Sequence, residues 1–188
     1  VENRARIVET ALELFAARGY DSVGVQEICT RAGITKPTLY HYFSSKRGVI
    51  DAVLERFVTE LEERLETVLD YRGDLPATLE RTINEMFDFV EEHPSFSRLL
   101  LSLQYAPEES EARAAVRPYF ERLFARLHTL FVAAAEDHGN MRGREEPYAV
   151  SFLGTVFTYM FLLLEGRITR DDALAFRVMH QFSHGIYS

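Results

Sequence analysis

The residues best suited to chemistry fall in one short stretch. Between Thr35 and Lys46 the chain carries Thr35, Lys36, Pro37, Thr38, Tyr40, His41, Tyr42 and Lys46. Leu39 and Phe43 stand four apart, so on a helix both point into a core. Lys36, Thr38, Tyr40, His41 and Tyr42 then fall on the outer side. Hydroxyls, rings and a cation facing outward make a poor catalytic centre. They suit the major groove of duplex DNA, where donors meet phosphates and base edges and apolar groups meet thymine methyls. Pro37 can touch such a methyl but donates no hydrogen bond. A merely solvated face would carry Glu and Lys rather than Tyr, His and Tyr.

Flanking residues supply the elements that would hold this face. Val25, Ile28 and Cys29 line one side of a preceding helix, and Gly33 gives it a left-handed stop. Thr35 is a good N-cap, its hydroxyl within reach of the Thr38 amide. Pro37 disfavours helical dihedrals at Lys36, which leaves Lys36 as the alternative cap. Gln26 on the first helix either bonds a phosphate or is solvated. Cys29 reads as a small core residue rather than a reactive thiol. A helix starting at Ser44 or Ser45 and running to about Leu69 follows, with Ile50, Val53, Leu54, Phe57, Leu61, Leu65 and Val68 at helical spacing. Lys46 and Arg47 at its start oppose the helix dipole, which suits a phosphate contact better than helix stability.

The stretch Ala32-Gly-Ile-Thr-Lys-Pro-Thr-Leu-Tyr-His-Tyr-Phe43, with Lys46 three residues on, resembles the DNA-binding signature of TetR-family transcriptional regulators. The sequence pattern extends over about residues 4 to 60, and the helix layout over the whole chain. The resemblance implies an all-α fold of about nine helices. A helix-turn-helix DNA-binding domain at 1–45 leads through the long helix into a ligand-binding and dimerisation domain at 46–188. It also implies a one-component regulator, most often a repressor released from its operator by a small molecule. The alternative is a TetR-like DNA-binding protein without a small-molecule ligand, acting as a structural or protein-partner module. The DNA-binding residues are then Gln26, Thr35, Lys36, Pro37, Thr38, Tyr40, His41, Tyr42 and Lys46.

Charge is distributed to match. The net charge is −8. Residues 1 to 48 hold seven Lys/Arg against five Asp/Glu, a balance of +2, and the remainder balances at −10. A basic end on an acidic body orients a molecule on DNA and repels the body from it. One cysteine excludes an intrachain disulfide. With no signal-like segment in view, a cytoplasmic protein is expected. The chain starts at Val1 rather than at an initiator methionine, so a true start ahead of it is expected.

The remaining chain reads as helices throughout. Residues 4 to 18 form the first, ended by Gly19, and its Arg4 and Arg6 either reach a phosphate or are solvated. Asp74 caps a fifth helix that Pro94 stops, and Ser95 caps a sixth from Phe96 to about Tyr105. Residues 109 to 137 form one helix or two, depending on whether Pro118 only kinks it. Residues 148 to 164 are apolar nearly all round, so they must be covered nearly all round. Slightly short for a membrane span, this helix is expected to pack on its own body and on a second subunit, with no membrane partner. The last helix begins near Thr169, and its Phe176, Met179, Phe182 and Ile186 continue an apolar stripe. Its residues 171 to 185 and the helix 148 to 164 predict a homodimer seam in a four-helix bundle. Seam candidates are Phe152, Val156, Tyr159, Leu163, Phe176, Met179 and His180. A dimer would read a near-palindromic double-stranded operator.

An aromatic-rich inner set is the candidate effector pocket: Phe57, Leu61, Phe87, Phe96, Leu100, Tyr105, Tyr119, Phe124, Leu127, His128, Phe157 and Phe161. Such a lining favours a small hydrophobic or aromatic effector over a sugar or metal ion. His180 and His184 stand four apart but lack an HExxH glutamate and a third ligand, so no metal site is expected. No phosphate loop, nucleophile elbow or paired-cysteine motif is present, so neither a cofactor nor enzymatic activity is expected.

Overall fold

The computed structural model describes residues 2–185, so Ile186 of the last apolar stripe lies outside the described residues. Among the described residues the regular structure is nine α-helices and one 3-10 turn, with no strand. The all-α class and the helix number match the expectation. By their contacts the residues gather into two compact units. One takes the chain up to Glu60 together with Ser95–Tyr119, and the other takes Leu61–Pro94 and the chain from Phe120 onward.

The first unit holds α1 (Glu2–Arg18), α2 (Val25–Ala32), α3 (Lys36–Phe43) and the start of α4 (Lys46–Val68). It also holds nearly all of α6 (Pro94–Gln104) and the first turns of α7 (Glu111–Asp137). Ile7, Ala11, Ile28, Leu39, Val49, Ile50 and Val53 are all buried in it. Phe57 and Phe96 stack with ring centroids 4.8 Å apart. Local chemistry sets the boundaries. Gly33 adopts φ 64°, and the Ile34 amide returns to the Cys29 carbonyl at 3.0 Å, closing α2. Thr35 is the N-cap of α3, its Oγ1 accepting from the Thr38 amide, so Lys36 is helical despite the following proline.

The second unit holds the rest of α4 and α7, α5 (Leu75–Glu92), α8 (Glu145–Leu164) and α9 (Leu174–His184). Asp74 caps α5 by accepting from the Ala77 amide at 3.0 Å. Phe87, Phe89, Phe131 and Phe152 are fully buried in its core. Arg170, in the link between α8 and α9, pairs with Asp88 at 2.5 Å and Glu91 at 2.9 Å on α5. Two boundaries depart from expectation, and the alternative left open at Pro118 falls to a single helix. The helix α7 runs unbroken through Pro118, held on either side by buried Val116 and Leu123. The start of α8 comes one turn early, because Pro147 sits in a first turn that needs no amide donor. The start of α9 is delayed to Leu174, because Asp171 turns its carboxylate onto the Ala173 amide.

Candidate nucleic-acid interface

The corner between α2 and α3 presents a compact polar face. Leu39 is fully buried and Phe43 nearly so, which turns Lys36, Pro37, Tyr40, His41 and Tyr42 outward. Tyr40 is 46% exposed and Tyr42 37%, high values for large rings that a monomer gains nothing by showing to water. The His41 and Tyr42 rings meet edge-on at 5.3 Å. Thr35 is exposed, and its hydroxyl bonds that of half-buried Thr38 at 2.9 Å, so this pair serves the cap before it serves a ligand. Gln26 is exposed on α2, where its amide lies 3.4 Å from the Thr30 hydroxyl. The Arg4 guanidinium lies 5.6 Å from the centre of the Phe43 ring, which brings the start of α1 beside the end of α3. Arg6 is tied to Asn3 at 2.7 Å.

Lys46 is placed otherwise than expected. Its ammonium donates to the Tyr20 carbonyl at 3.0 Å and the Val23 carbonyl at 3.2 Å, and lies 4.0 Å from the centre of the Tyr20 ring. Two carbonyls and a ring face occupy its donors, in place of the expected phosphate. The carbonyls also offset the cost of a cation at a helix N-terminus. Three features here were not anticipated from sequence. Gly48 packs against the backbone of Phe43 so closely that a side chain there would collide with it. Tyr20 donates its hydroxyl to Glu111, and burial together with that bond pushes its phenol well above the ordinary range. Ser97 is fully buried with no hydrogen-bond partner for its hydroxyl among the described residues. A glycine three residues after Ser45 hints at a tight corner, but no sequence signal points to Glu111 or Ser97.

The seam candidates separate by burial. Phe152, Val156 and Met179 are buried within their own unit and so cannot face a partner. The cause is that they occupy the same face of their helices as Ala149, Met160 and Ala175, which form the core. Tyr159 and Leu163 are half-buried, and the Tyr159 hydroxyl donates to Gln181 at 3.0 Å. Phe176 is 48% exposed, and exposed His180 follows it on the same face of α9. On α8 the open stripe is Val150, Gly154, Thr158 and Phe161. The helix is long and apolar enough to cross a membrane, with 28% of its apolar window buried in this chain. His180 and His184 have ring centroids 4.3 Å apart, both exposed.

The pocket candidates separate likewise. Phe57, Phe96 and Leu100 are buried in the first unit, with Tyr119 half-buried. Leu61, Phe87, Leu127 and Phe157 are buried in the second, with Phe124 and His128 half-buried and stacked at 6.3 Å. Tyr105 is 80% exposed on the α6–α7 link, and Phe161 is 47% exposed, so neither lines an interior. A groove of about 870 Å³ in the second unit runs between the end of α4 and α7, past Tyr71, Arg126 and Leu130. None of the twelve candidates lines it.

Comparison with known proteins agrees with this geometry. Residues 7–53 match the model of the family described as bacterial regulatory proteins, tetR family. A transcriptional activator of Mycolicibacterium smegmatis, FasR, is 36% identical over 111 residues, 59% of this chain and 51% of its own length. The chain thus spans about half the length of that relative. The nucleoid occlusion factor SlmA of Mannheimia succiniciproducens is 24% identical over 181 residues, 95% of this chain and 81% of its own. Among solved structures, the regulator FadR of Bacillus subtilis, in complex with stearoyl-CoA, superposes with TM-score 0.80 at 18% identity, covering 97% of this chain and 99% of that one. Residues 7–53 thus match the helix-turn-helix region of the tetR family of bacterial regulatory proteins, and the described helices share the fold of a solved transcriptional regulator.

Proposed function

We propose that the protein is a one-component transcriptional repressor that binds a near-palindromic operator as a homodimer and releases it when a small hydrophobic effector binds. The observation that carries this is the outer face of α3, where Lys36, Pro37, Tyr40 and His41 stand exposed on a capped, core-anchored helix. Lys36 and Tyr42 take phosphates, while Tyr40 and His41 take base edges and Pro37 a thymine methyl. Thr35 and Thr38 hold the cap, and Gln26 bonds the flanking phosphate. Residues 1–45 form the reading head and 46–188 the effector and dimerisation body, a division of roles rather than of contacts. The work is cytoplasmic, where the operator lies.

The open stripe of α8 and the Phe176–His180 face of α9 form the two-fold seam, since an apolar face of this extent needs a cover. The effector is hydrophobic or aromatic: aromatic side chains fill both units, and a fold neighbour was solved with a long-chain acyl thioester. Ser97 offers such a ligand one hydroxyl without a hydrogen-bond partner among the described residues. The effector must bind the released state more tightly than the DNA-bound one, or nothing shifts. The match to SlmA keeps a second reading in play, a DNA-binding protein without a small-molecule ligand.

Selection of duplexes from a random pool, followed by titration with acyl thioesters and aromatic acids, tests the reading. A near-palindrome bound by two chains and released by a hydrophobic compound is the expected result. Tyr40→Ala with Lys36→Ala should abolish selection, and unchanged affinity in that pair would remove α3 from the interface. Tight operator binding that no compound relieves would favour the second reading.

A further inference from the structure

The turn between α1 and α2 is held from two distant places in the chain. Tyr20 opens that turn; the residue is 4% exposed, and its ring centroid lies 5.1 Å from that of Phe15. Its carbonyl accepts from the Val23 amide at 3.3 Å and from Lys46 at 3.0 Å. Lys46 also holds the Val23 carbonyl, one residue from the N-cap of α2. The Tyr20 hydroxyl leaves the turn and donates to the Glu111 carboxylate, on the first residue of α7. Arg47 donates to the Glu111 carbonyl at 3.2 Å and pairs with Asp51 at 2.8 Å. Four segments thus meet within one compact unit: the α1–α2 turn, the start of α2, the start of α4 and the first turn of α7.

We infer that Tyr20, Lys46 and Glu111 form a clasp that sets the angle at which α2 and α3 are presented to DNA, with the first turn of α7 as its anchor. These are positioning residues, for none of them lies on the exposed face of α3. The physical reason is leverage. The helix α2 is only eight residues long, its N-cap Gly24 makes no side-chain bond, and its start is fixed by the two carbonyls that Lys46 holds. The Tyr20 hydroxyl is the one link of the clasp that a conservative change can cut without opening the core. The consequence is that the α6–α7 corner governs reading directly, because withdrawing Glu111 frees the turn ahead of α2. This inference rests on the regulator reading for its DNA arm.

The test uses the full chain with Tyr20→Phe, Glu111→Ala and Glu111→Gln. Glu111 is exposed, so its substitutions leave no cavity, and phenylalanine keeps the buried ring. Two quantities are read: hydrogen exchange over residues 20–25 in the protein alone, and affinity for the duplex that the wild type enriches from a random pool. Tyr20→Phe and Glu111→Ala should speed exchange over 20–25 and weaken the duplex about tenfold, the size of one hydrogen bond to a charged group. Glu111→Gln should restore both, since its amide oxygen still accepts from the phenol. A residue that serves stability alone would lower the melting temperature and leave affinity below melting unchanged. Unchanged exchange over 20–25, or unchanged duplex affinity, in both Tyr20→Phe and Glu111→Ala would overturn the clasp. Enrichment of no duplex by the wild type would sink the regulator reading before any variant is made, and the exchange arm would then decide the clasp alone.

Discussion

Gly48→Ala should do the opposite of what a helical glycine-to-alanine change ordinarily does. On helix propensity alone the change stabilises by about 1 kcal/mol. At Gly48, in the first turn of α4, the added Cβ would overlap the Phe43 carbonyl oxygen and stand 3.0 Å from its carbon and 3.5 Å from its Cα. All three are backbone atoms, so no rotamer relieves the clash. The oxygen is already held, accepting from the Ser45 amide at 2.7 Å. Ser44 between them has a positive φ of 62°, so the corner has little slack to give. The last turn of α3 must therefore move away from α4. Overpacking of this kind costs about 1–3 kcal/mol, and an overlap with backbone belongs at the upper end. Subtracting the propensity gain leaves a net loss of roughly 2 kcal/mol. For a chain of this size that is a fall of roughly 4–8 °C in melting temperature. Affinity for a selected duplex should fall with it, since Tyr40 and His41 ride on the displaced helix. Thermal melting, a denaturant titration and a duplex titration of wild type and variant measure all three. A melting temperature that rises, as at an ordinary helical glycine, would refute the reasoning.

Three further outcomes are expected. Asp74→Ala should cost about 1 kcal/mol in a denaturant titration, because it removes the cap of α5 and leaves the Ala77 amide unbonded. Burial and a hydrogen bond to Asp137 push the Tyr71 phenol up to about 12. The native state therefore keeps a proton that the unfolded chain gives up, so stability should fall as pH rises between about 10 and 12. Tyr71→Phe should flatten that slope in melts across the same range, and a slope unchanged by the substitution would contradict the assignment. Gly154 faces outward on α8 with nothing within 4 Å of an added Cβ, so Gly154→Leu should leave the chain folded while blocking the seam. Sedimentation at micromolar concentration should then show a dimer for the wild type and a monomer for the variant, and a dimer persisting in the variant would move the proposed seam elsewhere.

What was legible in the sequence is what is decided locally. Gly33, Thr35 and Asp74 act on backbone groups within five residues, so residue type and position suffice to place them. Leu39 and Phe43 could be assigned to the core because their neighbours are polar and the contrast has a period. Lys46 shows where this fails. Its partners Tyr20 and Val23 precede it by more than twenty residues, and the third member of the group, Glu111, is an ordinary acidic residue at a helix start. A cation at a helix N-terminus announced a partner, and nothing local distinguished two carbonyls from a phosphate.

The misassigned half of the seam has a different cause. A helix that is apolar all round has no direction of contrast, so residues 148 to 164 admit any rotation about their axis. One known burial removes that freedom. Ala149 is buried, and steps of three or four then carry the core face through Phe152, Val156 and Met160. The opposite face must run through Val150, Gly154, Thr158 and Phe161. Phe161, expected in the pocket, is thereby exposed, and Val156, expected at the seam, lies in the core. A single rotation accounts for both errors, and it is the same rotation that brings Gly154 outward, where a second helix can approach closely.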